Sequence, residues 1–210
     1  TPEFDREIAR SEYQRTRLII ALFIVATTTS IINYFFLDES IIGIYGGSKS
    51  YFFVIGWLGV FTLYEVVILR VISFLRKRYQ RITEGFRYTH TLIEITFPSL
   101  LILYMVDVKN QLIFIDSPVG LIYFLFITLS VLHLDFKLSL ITSLLAAIEY
   151  SSIVYFGFHF ADTGQNVGLV ENSFYLRSIV LIISGVAGGF VAEGLEKRIQ
   201  TTFELQRSKN

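Results

Sequence analysis

The sequence predicts an all-α membrane protein: a six-transmembrane-helix bundle, both termini cytoplasmic, with the last helix extending into a cytoplasmic stalk. Three observations lead there. The chain is 53% hydrophobic with a mean hydropathy of +0.57, and its 20 Phe and 12 Tyr in 210 residues exceed ordinary soluble usage. Six separate stretches are apolar over lengths near the roughly 20 residues a bilayer crossing requires. The basic residues are dense in alternate connections, which sets an orientation. Acidic and basic residues balance at 18 each, so net charge gives no signal for a nucleic-acid partner. The absence of Cys excludes a disulfide scaffold and a thiolate metal site.

The first span, Arg17–Leu37, follows an amphipathic cytoplasmic segment, residues 1–16. It is longer than a signal-peptide core and lacks a small-residue cleavage site, so it stays attached. The second span, Tyr51–Leu69, continues beyond the membrane through "RVISFLRKRYQRITEGFRY", with a break expected near Gly85. The third and fourth, Leu92–Val106 and Pro118–Leu132, are shorter or interrupted. The fifth is Leu138–Phe158, and the sixth, Phe174–Ala192, closes a transmembrane domain of residues 17–192. Between them "HFADTGQNVGLVENS" is the longest outer connection, its Gly and Asn marking turns.

Orientation rests on where Lys and Arg fall. Arg6, Arg10, Arg15 and Arg17 precede the first span. Arg70, Arg76, Lys77, Arg78, Arg81 and Arg87 lie between the second and third, Lys137 between the fourth and fifth, and Lys197, Arg198, Arg207 and Lys209 after the sixth. Only Lys49, Lys109 and Arg177 are left for the other side, so both termini are expected in the cytoplasm.

Helices in lipid associate through close-packed small residues. In "SGVAGGFVA" Gly185 and Gly189 form a GxxxG pair, and Ser184, Gly188 and Ala192 a second ridge. The fifth span repeats Ser139, Ser143, Ala147 and Ser151 at every fourth residue. These ridges fit either packing inside one bundle or a homodimer seam.

Ionisable groups within spans are functional candidates by default. Glu65 and Glu94 fall about one turn inside the cytoplasmic boundary, where interface snorkelling or pairing with Arg70 and Arg87 is the simplest account. His90 and His133 lie at similar depth, His133 reading as a boundary residue. Glu149 is midspan, and Arg177 is the one deep cation expected to reach towards it; its role is a polar tie between helices or a ligand contact. Pro98 crowds the carbonyl of Glu94 and marks a kink. His159 with Asp162 is the only metal hint, and a thin one, so neither a metal nor a cofactor is expected. There is no HExxH, GxSxG or P-loop, hence no catalytic residue and no expected enzymatic activity in the chain itself.

The sixth helix runs on without proline through residues 193–210, where Glu193 and Lys197 form an i,i+4 pair and Leu195, Ile199 and Phe203 repeat every four residues. That is the form of a signalling stalk.

The stretches "HTLIEITFPSLLILYM", "YFLFITLSVLHLDFKLSLITSLLAAIEY" and "GGFVAEGLEKRIQ", spanning Thr89 to Arg198, resemble the six-helix membrane module that precedes the catalytic domain in bacterial class III adenylate/guanylate cyclases. The resemblance implies a multi-pass bacterial inner-membrane protein that anchors, dimerises and regulates cytoplasmic domains forming cAMP from ATP. It also implies a homodimer in the lipid bilayer that answers a lipid or small-molecule ligand. The family's metal-binding aspartates and transition-state Arg/Asn pair have no counterpart here. A sensor module for a histidine kinase or diguanylate cyclase shares this topology, and a small transporter is the rival of another class.

The basic asymmetry yields a direct test. Cysteines replacing Lys49 and Gln165 should label from outside intact cells, and one replacing Gln80 should not. Labelling at Gln80 would invert the orientation.

Overall fold

The computed structural model describes residues 2–36, 47–78, 82–107, 112–116, 118–160 and 171–207. Its elements are α1 (Pro2–Phe36), α2 (Ser48–Arg78), α3 (Glu84–Asp107), two short 3-10 turns (Leu112–Asp116 and Pro118–Gly120), α4 (Leu121–Ser130), α5 (Phe136–His159) and α6 (Glu171–Arg207). A further 3-10 turn, Val131–His133, extends α4. Among the described residues every element is helical, and six helical stretches are long and apolar enough to cross a membrane. Asp162, Gln80, Gln165 and most of the connection between α5 and α6 lie outside the described residues.

The helices are longer than the apolar stretches they contain. α1 begins fifteen residues ahead of Arg17 without a break, and its first half is docked rather than free: Ala9, Glu12, Arg15 and Thr16 are all buried. The break between α2 and α3 ends just before Glu84, close to the expected position near Gly85, which itself sits in the first turn of α3. α3 runs unbroken through Pro98, which is buried. Near the proline Trp57 Nε1 donates to the Phe97 carbonyl (3.2 Å), and Ser99 Oγ lies 3.2 Å from the Ile95 carbonyl.

Aromatic rings fill the interior between α1, α2, α3 and α4. Phe61 lies 4.5 Å from Phe23, 4.3 Å from Phe97 and 5.7 Å from Phe126, centroid to centroid. The outward faces carry Phe36, Val67, Ile148, Leu176, Ile183 and Phe190, all exposed. A helix set that is apolar on its core and its outer face alike fits a bilayer environment.

The small ridges are spent inside one chain. α5 and α6 pack along their lengths. A Cβ built on Gly185 would collide with the Ser143 side chain and stand 3.2 Å from the Ser139 carbonyl. At Gly189 it would meet the Phe136 ring at 2.8 Å, and at Gly188 Ser139 Oγ at 3.2 Å. Ala147 and Ala192 are buried, and Ser139 Oγ donates to the Gly185 carbonyl (3.2 Å). Ser184 stands off this face, donating to Val180 O in its own helix. Of the two uses the ridges allow, the structure therefore displays the intrachain one.

Gly185→Leu should push α6 off α5. We expect a loss of about 1–3 kcal/mol, the usual scale of overpacking, seen as a lower unfolding temperature in detergent. Ser184→Ala, off the contact, should leave it unchanged.

Candidate functional site

Two polar centres lie within the bundle, and α3 contributes to both. The larger occupies the end where α3 and α5 begin and α4 ends. Arg15 of α1 donates to Glu94 of α3 through a short ion pair, and its other terminal nitrogen is 3.9 Å from Glu12 one turn earlier. Arg87 Nε donates to Glu12 Oε1 (2.8 Å) and its guanidinium also to the His133 carbonyl. His133 Nδ1 is bonded to Glu12 Oε1 and its Nε2 lies 3.2 Å from Thr91 Oγ1. On α2, Glu65 Oε1 is 3.3 Å from His90 Nε2, which is also 3.3 Å from Glu94 Oε1. All seven ionisable side chains are buried, Arg15, Glu65 and Glu94 completely.

Local sequence explains how these groups are aimed. His90 and Glu94 are one helical turn apart and share a face of α3, with Arg87 one turn before His90. The α4–α5 turn is made by Leu134 in the left-handed conformation (φ 54°) and Asp135, which caps α5 by accepting from the Lys137 and Leu138 amides. A branched side chain at positive φ carries strain. Here Arg87 and Glu12 on His133, and Ser11 Oγ on the Leu132 carbonyl, hold the turn from outside.

These placements correct the sequence expectations. Glu94 pairs with Arg15 from α1 and Glu65 with His90, whereas Arg87 serves Glu12 and Arg70 is exposed. His133 is a fully enclosed member of the network, not a boundary residue. Glu12 and Arg15 were hidden in sequence because they precede the apolar stretch of α1.

The second centre surrounds Glu149 on α5. Thr96 Oγ1 donates to Glu149 Oε1 (2.9 Å), Ser99 Oγ donates to Oε2, and Ser99 Oγ is 2.6 Å from the Tyr123 hydroxyl of α4. The carboxylate is thus met by α3 hydroxyls. Arg177, expected to reach Glu149, instead pairs with Asp116 at the opposite end of the bundle from the charge network. That pair borders a cavity of about 410 Å³ among the 3-10 turns, α4, α5 and α6, lined by Asp116, Gly120, Tyr123, Tyr150, Arg177 and Leu181. His159 is exposed, its Nδ1 donating to the Tyr155 carbonyl (3.0 Å).

Among the described residues one group offers three potential metal-ligand atoms within 4.8 Å of one another: Glu65, His90 and Glu94. The i,i+4 relation of His90 and Glu94 was legible in sequence; the approach of Glu65 from α2 was not.

Breaking a buried pair leaves an uncompensated charge and costs about 3–5 kcal/mol. Arg15→Met should therefore strongly destabilise the chain in detergent unfolding, and Glu94→Gln in the same chain should recover part of the loss. Arg70→Met should change little.

Compared with known protein families, curated proteins and solved structures, the chain matches none.

Proposed function

We propose that this chain is the membrane anchor and sensor module of a class III adenylate or guanylate cyclase. In this reading both termini are cytoplasmic in a bacterial inner membrane, the chain acts as a homodimer, and helix α6 carries the signal to catalytic domains. Two lines support it: the sequence resemblance from Thr89 to Arg198, and the continuity of α6.

The continuity of α6 is the observation that carries the reading. Glu171–Arg207 is a single helix of 37 residues, about 55 Å long at 1.5 Å per residue. The hydrocarbon core takes about 30 Å, so a substantial part projects as a rod continuous with the part packed on α5. A rigid helix transmits rotation and tilt; a loop does not. The Glu193–Lys197 pair (2.6 Å) and the Glu196–Gln200 contact (3.1 Å) support the projecting turns.

The input in this reading is the cavity bordered by Asp116 and Arg177. An anionic headgroup or small anion entering it competes with Asp116 for the guanidinium and shifts α6 at its first turns. Class III sites form between two catalytic domains, so coupling of about 1–3 kcal/mol to their apposition changes activity on a tenfold scale. The small ridges are occupied by α5, so pairing of two copies through α6 uses another of its faces.

The test uses helical phase. The chain is fused ahead of a class III catalytic domain, and one to seven residues are inserted after Lys197. Each insertion turns the downstream part by about 100°, and seven restore the phase to within about 20°. Cyclic nucleotide output should fall at intermediate insertions and recover at seven. Output insensitive to insertion length would reduce α6 to a tether and overturn the reading.

A further inference from the structure

Glu65 of α2 and His90 and Glu94 of α3 converge on one point in a fully enclosed part of the bundle. Pairwise hydrogen bonding does not account for the arrangement. His90 Nε2 lies 3.3 Å from a carboxylate oxygen on each side. An imidazole nitrogen carries at most one proton, so it cannot donate well to both. Glu94 Oε1 and Glu65 Oε2 are buried without a hydrogen-bond partner, as is the hydroxyl of Tyr64, the residue next to Glu65. Unpartnered buried oxygens cost about 1–3 kcal/mol each, more when charged.

A cation at the centre removes the competition for the His90 Nε2 proton and gives the unpartnered Glu94 Oε1 a ligand bond. Zn²⁺ binds His nitrogen and carboxylate oxygen at about 2.0–2.2 Å in tetrahedral geometry. The edge of such a tetrahedron is about 1.63 times the bond, roughly 3.3–3.6 Å. The two observed separations of 3.3 Å match that edge. Charge points the same way. Glu12, Glu65, Glu94 and the half-buried Asp135 set four carboxylates against the guanidiniums of Arg15 and Arg87. A doubly charged cation balances them with both imidazoles neutral, as low-dielectric surroundings require. Arg15, holding the second oxygen of Glu94, is placed as the outer partner that orients a ligand.

We propose that Glu65, His90 and Glu94 form a binding site for a divalent transition-metal ion, Zn²⁺ foremost, through His90 Nε2 and one oxygen of each carboxylate. The imidazole nitrogen and the small ligand set disfavour Mg²⁺ and Ca²⁺, which take oxygen ligands in larger numbers. α2 touches α3 along little of its length, so the ion acts as a cross-link between them. The site stands independently of the cyclase reading; either can fail without the other.

The test uses the full chain, untagged, purified in detergent and stripped with chelator. Equilibrium dialysis should find one Zn²⁺ per chain, with an unfolding temperature that rises and saturates with Zn²⁺ but not with millimolar Mg²⁺. Glu65→Gln and His90→Asn should each weaken binding beyond the roughly 10–100-fold that loss of an outer partner costs, and His159→Asn should not. Should the variants fail to fold, Co²⁺ added to the wild-type chain should give visible d–d absorption that excess Zn²⁺ abolishes. Absence of stoichiometric Zn²⁺ or of the Co²⁺ band overturns the site. So does binding that His159→Asn removes and Glu65→Gln leaves intact.

Discussion

Charge buried in an apolar bundle must be matched in place, because each unpaired ion costs several kcal/mol, and the rest of this chain is arranged around that constraint. Arg15 and Arg87 stand against Glu12, Glu94 and, more distantly, Asp135, with His90 and His133 threaded between. No helix contributes a self-sufficient set. α1 supplies Glu12 and Arg15, α2 supplies Glu65, α3 supplies Arg87, His90 and Glu94, and the α4–α5 turn supplies His133 and Asp135. Each element that leaves the network strands a charge on another. The polar half of α1, by hydropathy a mere prelude to the first span, is thereby bound to the bundle as firmly as the apolar half.

A different kind of packing governs the other half. α5 and α6 meet through Ser139, Ser143, Gly185 and Gly188, where missing side chains bring backbones together and a serine hydroxyl bonds the facing carbonyl. Contacts of this sort depend on shape and are lost with small displacements. The charge network tolerates little change of partner; the α5–α6 seam tolerates little change of distance. Between them they leave the exposed apolar faces to the lipid.

Hydropathy made the six long apolar helices legible, because the bilayer requirement acts on each stretch separately. The partners were not legible, because pairing is a property of two segments. Glu94 drew attention as an intramembrane acid, yet its cation lies 79 residues earlier, in the amphipathic segment ahead of the first span. Glu149 likewise stood out, but its donors are Thr96 and Ser99, hydroxyls whose presence in a span carries no signal by itself. Spacing revealed the ridge at Gly185 and Gly189 without saying which surface it meets. Leu134 at positive φ was invisible, since neither Gly nor Asn marks it.

The two centres are not separate features, because α3 bears both. Glu94 faces Arg15 and, five residues on, Ser99 faces Glu149, with Pro98 immediately before it. Proline removes one backbone hydrogen bond from the helix at that step, so the segment joining the two centres is less stiffly braced than the rest of α3. α5, held at Glu149 by Thr96 and Ser99, is in turn the helix on which Gly185 of α6 rests. A continuous set of contacts therefore runs from the buried charges through α3 and α5 to α6, the longest helix among the described residues. Displacement of α6 against α5 bears on Ser139 and Ser143. Any movement of α5 that follows strains the hydroxyl contacts at the half-buried Glu149. The polar groups that hold the helices in register are thus also those best placed to carry a change in register from one end of the bundle to the other.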